Sequence, residues 1–220
     1  MIIGESGSGK TVLIRSMVGL TDIDSGEVLF DDRNFYTSSF HSKKEIRKEI
    51  GMLFQGGALF DSKTVEENVV FPLSMFTNLS ESEKRDRANF CLQRVNLTNA
   101  NNLFPSELSG GMKKRVAIAR AIAVQPKYLF CDEPNSGLDP KTSIVIDNLI
   151  QEITEEYGIT TIVITHDMNS VIEIGDNVLF IYEGKKGWEG TKQEILKTDK
   201  KELLDFMYAT KFMKDLKTKF

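Results

Sequence analysis

The sequence lacks any apolar run near the roughly 20 residues needed to cross a bilayer. Its first residues also lack the basic, apolar and small-residue layout of a secretory signal. The expected location is therefore the cytoplasm, unless another subunit holds the chain to a membrane. There are only two cysteines, Cys91 and Cys131, an unclustered pair that fits neither a disulfide framework nor a zinc site. Cys91 shares a helical stripe with Ala88, Leu92 and Val95, and Cys131 ends the apolar run Tyr128-Leu-Phe-Cys. Both are expected to be small buried hydrophobes. Positive charge is not in excess: 28 Lys and Arg stand against 32 Asp and Glu, a formal net charge of −4. That excludes a nucleic-acid binder running on bulk positive charge, and no nucleic-acid partner is expected. No internal repeat or low-complexity tract is present. What remains is 220 residues with 40% hydrophobic and 27% charged content, enough for one α/β domain or one domain with a subdomain.

The most informative stretch is the first eleven residues, Met1-Ile-Ile-Gly-Glu-Ser-Gly-Ser-Gly-Lys-Thr11. Gly4, Glu5, Ser6, Gly7, Ser8, Gly9, Lys10 and Thr11 match the phosphate-loop pattern G-x-x-x-x-G-K-[ST] in full. Glycines allow a tight turn whose N–H groups converge on one anion. Lys10 adds a positive charge for the outer phosphates, and Thr11 offers a hydroxyl to Mg²⁺. The segment after it, Thr11 to Leu20, reads as a helix whose positive end faces the phosphates. A strand of five or six residues is usual before such a loop, and only Met1-Ile2-Ile3 is present. The chain is therefore expected to be clipped at its N-terminus.

Further along, strands alternate with helices. Expected strands are Glu27–Phe30 after a turn at Asp24-Ser-Gly26, Gly51–Phe54, Tyr128–Cys131 and Thr160–Thr165. Asn177–Tyr182 and Lys186–Glu189 read as a hairpin. Expected helices cover Ser42–Glu49, Thr64–Val70 stopped by Pro72, Ser80 to about Asn96 opened by a capping box with Glu83, and Met112–Gln125. Others start at Pro140, closed by Gly158, and cover Asn169–Ile174, Thr191–Leu196 and Lys201–Leu216. The tail helix would place Leu203, Leu204, Phe206, Met207 and Phe212 on one side. The alternation implies an α/β fold with a mostly parallel sheet flanked by helices. Residues 62–125 show no convincing strand and read as an inserted helical subdomain. The division is thus 1–61 with 126–190 as the sheet core, 62–125 as the helical part, and 191–220 as a C-terminal helical extension.

Gly4, Gln55, the pair Asp132-Glu133, and His166 each follow an apolar strand closely. In a parallel sheet such positions share the carboxyl edge, where these folds bind ligands. Singly, each has an ordinary explanation: a loop glutamine, a solvated acidic pair, a packed histidine. Together with a phosphate loop they specify phosphoryl transfer, which needs positioning and charge stabilisation more than covalent chemistry. Thr11 and Asp132 are the expected Mg²⁺ contacts, with Gln55 touching metal or water. Glu133 would orient and polarise the attacking water, and His166 would stabilise charge on the terminal phosphate. These make Glu133, His166 and Gln55 the candidate catalytic residues.

Leu108-Ser-Gly-Gly-Met112 opens another helix, so N–H groups and a positive helix end face outward together. Lys113, Lys114 and Arg115 follow. Three cations in a first turn oppose the helix dipole at roughly 0.3–1 kcal/mol each. Two readings stay open: an anion site that tolerates the conflict, or side chains that extend away and pair with acidic neighbours.

GESGSGKT, Gln55, LSGGM, YLFCDE, SGLD at Ser136 to Asp139, and His166 resemble, in order and spacing, the nucleotide-binding subunit of ATP-binding cassette (ABC) transporters. The likeness covers the chain to about Gly190. It implies an ATP- and Mg²⁺-dependent hydrolase in which two copies pair head to tail. Ser109, Gly110, Gly111 and Met112 would then serve the partner's ATP, and Asp139 would lie at the dimer seam. The loop after Gln55 would receive an integral membrane permease, holding the chain on the inner face of the cell membrane. Two departures stand out: Met112 replaces the usual Gln, and the adenine-stacking aromatic of the family lies upstream of where this sequence begins.

A narrower resemblance, to ATPases of lipid-asymmetry or Mce-type phospholipid transporters, rests on Phe54-Gln-Gly-Gly-Ala-Leu-Phe60, Thr64-Val65, Asn68-Val69, Pro72-Leu73 and LSGGM. It implies transport of phospholipid or a similar hydrophobic substrate. Alternatives are an ABC ATPase for amino-acid import or lipoprotein release, or a non-transport ABC ATPase. For the tail after Lys200, two readings are open. It packs on a sister or accessory subunit, or it folds back on its own domain.

Overall fold

The computed structural model describes residues 1–208. The chain enters through β1 (Ile2–Ile3), the phosphate loop and α1 (Lys10–Met17). A small antiparallel ribbon follows, β2 (Leu29–Phe30) on β3 (Arg33–Asn34), then α2 (Phe40–Lys48) and β4 (Ile50–Leu53). Next come α3 (Val65–Phe76), α4 (Glu81–Arg94), a single 3-10 turn at Pro105–Glu107, and α5 (Gly110–Ile122). The chain returns through β5 (Tyr128–Asp132), α6 (Pro140–Tyr157), β6 (Thr160–Ile164) and α7 (Met168–Ile174). It ends in the hairpin β7 (Asn177–Tyr182) and β8 (Lys185–Thr191), then α8 (Lys192–Ile195) and α9 (Lys201–Met207). The main sheet runs β4-β5-β6-β1-β7-β8, parallel from β4 through β7 and antiparallel only at β8. The α/β class with a mostly parallel sheet is the one expected.

Side-chain alternation divides the core between the two sheet faces. Leu53, Leu129, Cys131 and Val163 join α3 to α6 in one cluster. Ile2, Phe130 and Ile164 join Ile14 of α1 and Val18 just after it, and Phe30 of the ribbon and Phe35 just after it, in the other. Both cysteines are buried and unbridged, and burial pushes the thiols up to about 11 for Cys91 and about 12 for Cys131. They act as small apolar side chains, as expected.

One element departs from its sequence signals. Pro72 does not stop α3, which runs on to Phe76. An interior proline costs about 3 kcal/mol. Val65, Val69 and Leu73 are each no more than 1% exposed, and burying each contributes about 1.5–3 kcal/mol. A capping box between Thr64 and Glu67 fixes the start of the helix, so the proline is outweighed. The signals at Ser80 with Glu83, and at Pro140 and Gly158, hold: the capping box is present, and Gly158 closes α6 at φ 60.

The tail splits. Leu203 and Met207 of α9 are buried with Ile3, Val171, Val178, Phe180 and Ile195, and the Phe206 ring lies 5.5 Å from that of Phe180. This part folds back on its own sheet. Phe212 and Leu216 lie outside the described residues.

The loop between β4 and α3, which carries Gln55, is latched by a buried amide. Asn68 is fully buried, and its Nδ2 donates to the carbonyls of Phe60, Lys63 and Thr64 at 3.2, 3.2 and 2.9 Å. Its Oδ1 accepts from Phe60 N at 2.8 Å. Asn68→Ala should destabilise the protein by about 2–4 kcal/mol, since buried main-chain groups lose their partner. Chemical denaturation of the variant beside the native chain checks this; a loss below about 0.5 kcal/mol contradicts it.

Candidate active site

The phosphate loop connects β1, at the centre of the sheet, to α1. Gly4 has φ 151, and a Cβ there would lie 2.3 Å from the Ile181 carbonyl, so no other residue fits. Gly9 (φ 102) turns the chain into α1 without a side-chain cap, leaving the first N–H groups of the helix open to an anion. Ser8 Oγ is buried without a hydrogen-bond partner. An orphaned hydroxyl among free N–H groups is a fit for phosphate oxygens. Lys10 is 5% exposed, and its Nζ donates to the carbonyls of Gly4 and Glu5, both at 2.8 Å. Burial lowers its pKa, opposed by the charges of Glu133 and Asp132.

Asp132 ends β5 and is 3% exposed. Thr11 Oγ1 donates to its Oδ1 at 3.3 Å. Burial raises its pKa, opposed by that hydrogen bond; Glu133 adds to the rise, while Arg15 and Lys10 work against it. Among the described residues, no cluster of three His, Cys, Asp or Glu could hold a metal alone. Mg²⁺ does not need one, because it takes one or two protein oxygens and completes its shell with water and phosphate. The Thr11–Asp132 pair fits that requirement.

Glu133 follows Asp132 with its backbone at φ 47, in the left-handed region that non-glycine residues seldom occupy. Asp132 thus meets α1 while Glu133 meets the other strand ends. Gln55 Nε2 donates to Glu133 Oε2 at 3.1 Å, and His166 Nδ1 lies 3.2 Å from Glu133 Oε1. The Glu133 side chain is 16% exposed and that of His166 56%. The carboxylate is sheltered yet reachable, and the imidazole is open. A carboxylate and an imidazole held together beside an anion loop can activate water and stabilise phosphoryl charge.

The structure therefore gathers the phosphate loop, Lys10, Thr11, Gln55, Asp132, Glu133 and His166 at one sheet edge. Ser109–Met112 and Asp139 are not hydrogen-bonded into that group. Ser109 Oγ caps α5 by accepting from Met112 N at 3.3 Å. Asp139 caps α6, accepting from the N–H groups of Lys141 and Thr142, each at 3.1 Å. The two segments adjoin: a Cβ on Gly111 would lie 2.8 Å from Thr142 Cγ2, and one on Gly110 would lie 3.4 Å from Leu138 Cδ2.

Sequence reasoning missed two features. Lys114 neither faces outward to an anion nor pairs with an acidic neighbour. Its Nζ turns inward to the carbonyls of Gln55 and Glu133. The second is a buried polar relay. Asn135 Nδ2 donates to Ser170 Oγ at 3.1 Å, and Ser170 Oγ donates to Asp147 Oδ2 at 2.7 Å. It ties the turn after Glu133 to the helix after His166. Burial raises the Asp147 pKa, with the hydrogen bonds from Ser170 and Asn135 opposing. Both features join side chains far apart in the chain to carbonyls or hydroxyls, and no sequence pattern announces such partners.

The family model for ABC transporters matches residues 1–136. A methionine import ATP-binding protein, MetN, of Latilactobacillus sakei is 42% identical over 202 residues, covering 92% of this chain and 58% of the relative. The intermembrane phospholipid transport system ATP-binding protein MlaF of Haemophilus influenzae is 40% identical over 206 residues, covering 94% of this chain and 78% of the relative. The chain thus spans between about half and four-fifths of the length of these two curated relatives. Among solved structures, the dimeric bacterial ABC transporter cassette MJ0796 superposes with a TM-score of 0.80 at 35% identity, over 87% of this chain and 84% of that one. CbiO1 of Clostridium perfringens, part of the ABC transporter complex cbiONQ, gives 0.81 at 32% identity over 100% and 86%. With a matching family model, this level of identity and a shared fold, the chain belongs to the ABC transporter family, as an ATP-binding cassette.

Proposed function

We propose that this chain binds and hydrolyses ATP as the cassette subunit of a transporter. In that assembly two copies pair and dock on a permease at the inner face of the membrane. The observation that carries the reading is the convergence on Glu133 of Gln55 and His166, beside a phosphate loop and the Thr11–Asp132 pair. Gly4 to Thr11 bind the phosphates through N–H groups, Lys10 and the Ser8 hydroxyl. Thr11 and Asp132 hold Mg²⁺, with Gln55 as a further contact. When bound, the ion offsets charge that builds on the transferred phosphoryl group. Glu133 takes a proton from the attacking water, and His166 orients that carboxylate and steadies the terminal phosphate.

Ser109, Gly110, Gly111 and Met112 are assigned to the partner copy's nucleotide and Asp139 to the seam. Ser109, Gly110 and Asp139 are exposed while Gly111 and Met112 are half-buried, and this, with the dimeric state of the similar MJ0796 cassette, supports the assignment. Among the described residues no helix is long and apolar enough to cross a membrane; attachment through a permease is the assignment made here. Division into a sheet core (1–61 and 126–190), a helical part (62–125) and a C-terminal extension (191–220) fits this arrangement.

Phospholipid or a similar hydrophobic molecule is the proposed cargo. The segment Phe54–Phe60 with Met112 supports it, as does the 40% identity to a phospholipid transport ATPase. Methionine import is the second reading, favoured by the 42% identity to MetN.

Glu133→Gln should lower turnover by about 10²- to 10⁴-fold, the range for loss of a general base. ATP affinity should stay near that of the native complex. Turnover close to native in that variant would remove Glu133 from the chemistry. The cargo is tested by reconstituting the ATPase with its permease in vesicles of defined phospholipid. Phospholipid stimulation and co-purified lipid are expected, whereas stimulation by methionine favours the second reading.

A further inference from the structure

Lys114 is 5% exposed. It belongs to none of the ion pairs formed among the described residues. Burial lowers its pKa, opposed by the charges of Glu133 and Asp132. An ammonium kept in the interior without a paired carboxylate is costly, and a methionine or leucine would fill the same space without that cost. What the charge does there is visible in its acceptors. Nζ donates to the carbonyl oxygen of Gln55, and lies 3.3 Å from that of Glu133.

Those carbonyls belong to the two residues whose side chains meet at 3.1 Å. One cation thus holds the two main chains through two hydrogen bonds, and a third joins their side chains. Glu133 is also the residue at φ 47, a conformation that persists only where its surroundings over-determine it. Glu133 N donates to Ile164 O at 2.9 Å, and Ser136 N donates to Glu133 O at 3.1 Å. Both bonds stay within the sheet edge. Among the described residues, Lys114 is the α5 side chain hydrogen-bonded to Glu133. Arg120 of the same helix holds the Gly57 and Ala58 carbonyls further along the Gln55 loop, both at 2.7 Å. This helix begins at the Ser109 cap.

Resting on the ATPase reading above, we propose that Lys114 is a positioning residue for hydrolysis, clamping the Gln55 and Glu133 main chains so that the Glu133 carboxylate is held at its working place. It acts through the two residues whose carbonyls it binds. Its origin on α5 makes the placement of that carboxylate answer to the helix that carries Ser109–Met112.

The test measures ATP hydrolysis by the full-length protein in its permease complex. Absence of turnover in the native complex would overturn the ATPase reading itself, independently of Lys114. Given native turnover, Lys114→Met should lower kcat by about 10- to 100-fold, the scale of an ångström-sized misplacement. KM for ATP should stay within about threefold, since the phosphate loop is untouched. Lys114→Arg, which keeps the charge and the donors, should recover turnover. The double variant Gln55→Ala with Lys114→Met should lose less in total than the product of the single losses, because both act through one arrangement. The proposal is overturned if Lys114→Met leaves kcat within about twofold of native, or if the double variant multiplies the single losses. A parallel loss of ATP binding and thermal stability, in place of a kcat-specific loss, also overturns it. Should Lys114→Met fail to assemble, Lys114→Gln, uncharged but still a donor, is read by the same kcat and double-variant criteria.

Discussion

One carboxylate organises this molecule. Glu133 meets Gln55 through one oxygen and His166 through the other, so the ends of three separate strands are joined at a single group. That junction is possible because β4, β5 and β6 are adjacent and parallel, which puts all their carboxyl ends on one edge. β1, next in the sheet, delivers the phosphate loop to the same edge. The remaining architecture serves this geometry: two apolar layers hold the strands in register, and the edge carries the chemistry.

The edge is polar where the fold would otherwise be apolar. Lys10, Lys114, Asp132 and Asp147 are each no more than 5% exposed. Each finds hydrogen-bond partners, which is what makes such burial tolerable. Lys10 and Lys114 both rest on main-chain carbonyls. Asp132 accepts from Thr11 and Asp147 from Ser170. Arrangements of this kind fix backbone as well as side chains, and Glu133 in the left-handed region needs that support.

Much of this was legible along the chain. The phosphate loop, the strand-end positions of Gln55, Asp132, Glu133 and His166, the capping box at Ser80, and the Pro140 and Gly158 boundaries are local signals with local causes. Pro72 was misread because its local cost is real, while the burial of Val65, Val69 and Leu73 that exceeds it belongs to the tertiary structure. Lys114 was misread for the same reason. Position in a first helical turn predicts an outward cation, and only the fold shows two carbonyls beneath it.

The sequence by itself determined the chemistry on offer and its address: an anion loop, a magnesium-type hydroxyl and carboxylate pair, a carboxylate and an imidazole, each beyond a buried strand. It could do so because backbone conformation near glycines and the period of apolar residues act within a few positions. Tertiary structure alone decided how these groups meet. It set the strand order and the strained turn at Glu133. It placed the inward ammonium of Lys114 and the Asn135–Ser170–Asp147 relay, and it seated α9 on its own sheet. Each of these depends on contacts between residues distant in the chain, whose partners are mostly main-chain oxygens or apolar surfaces that leave no mark in the order of residues.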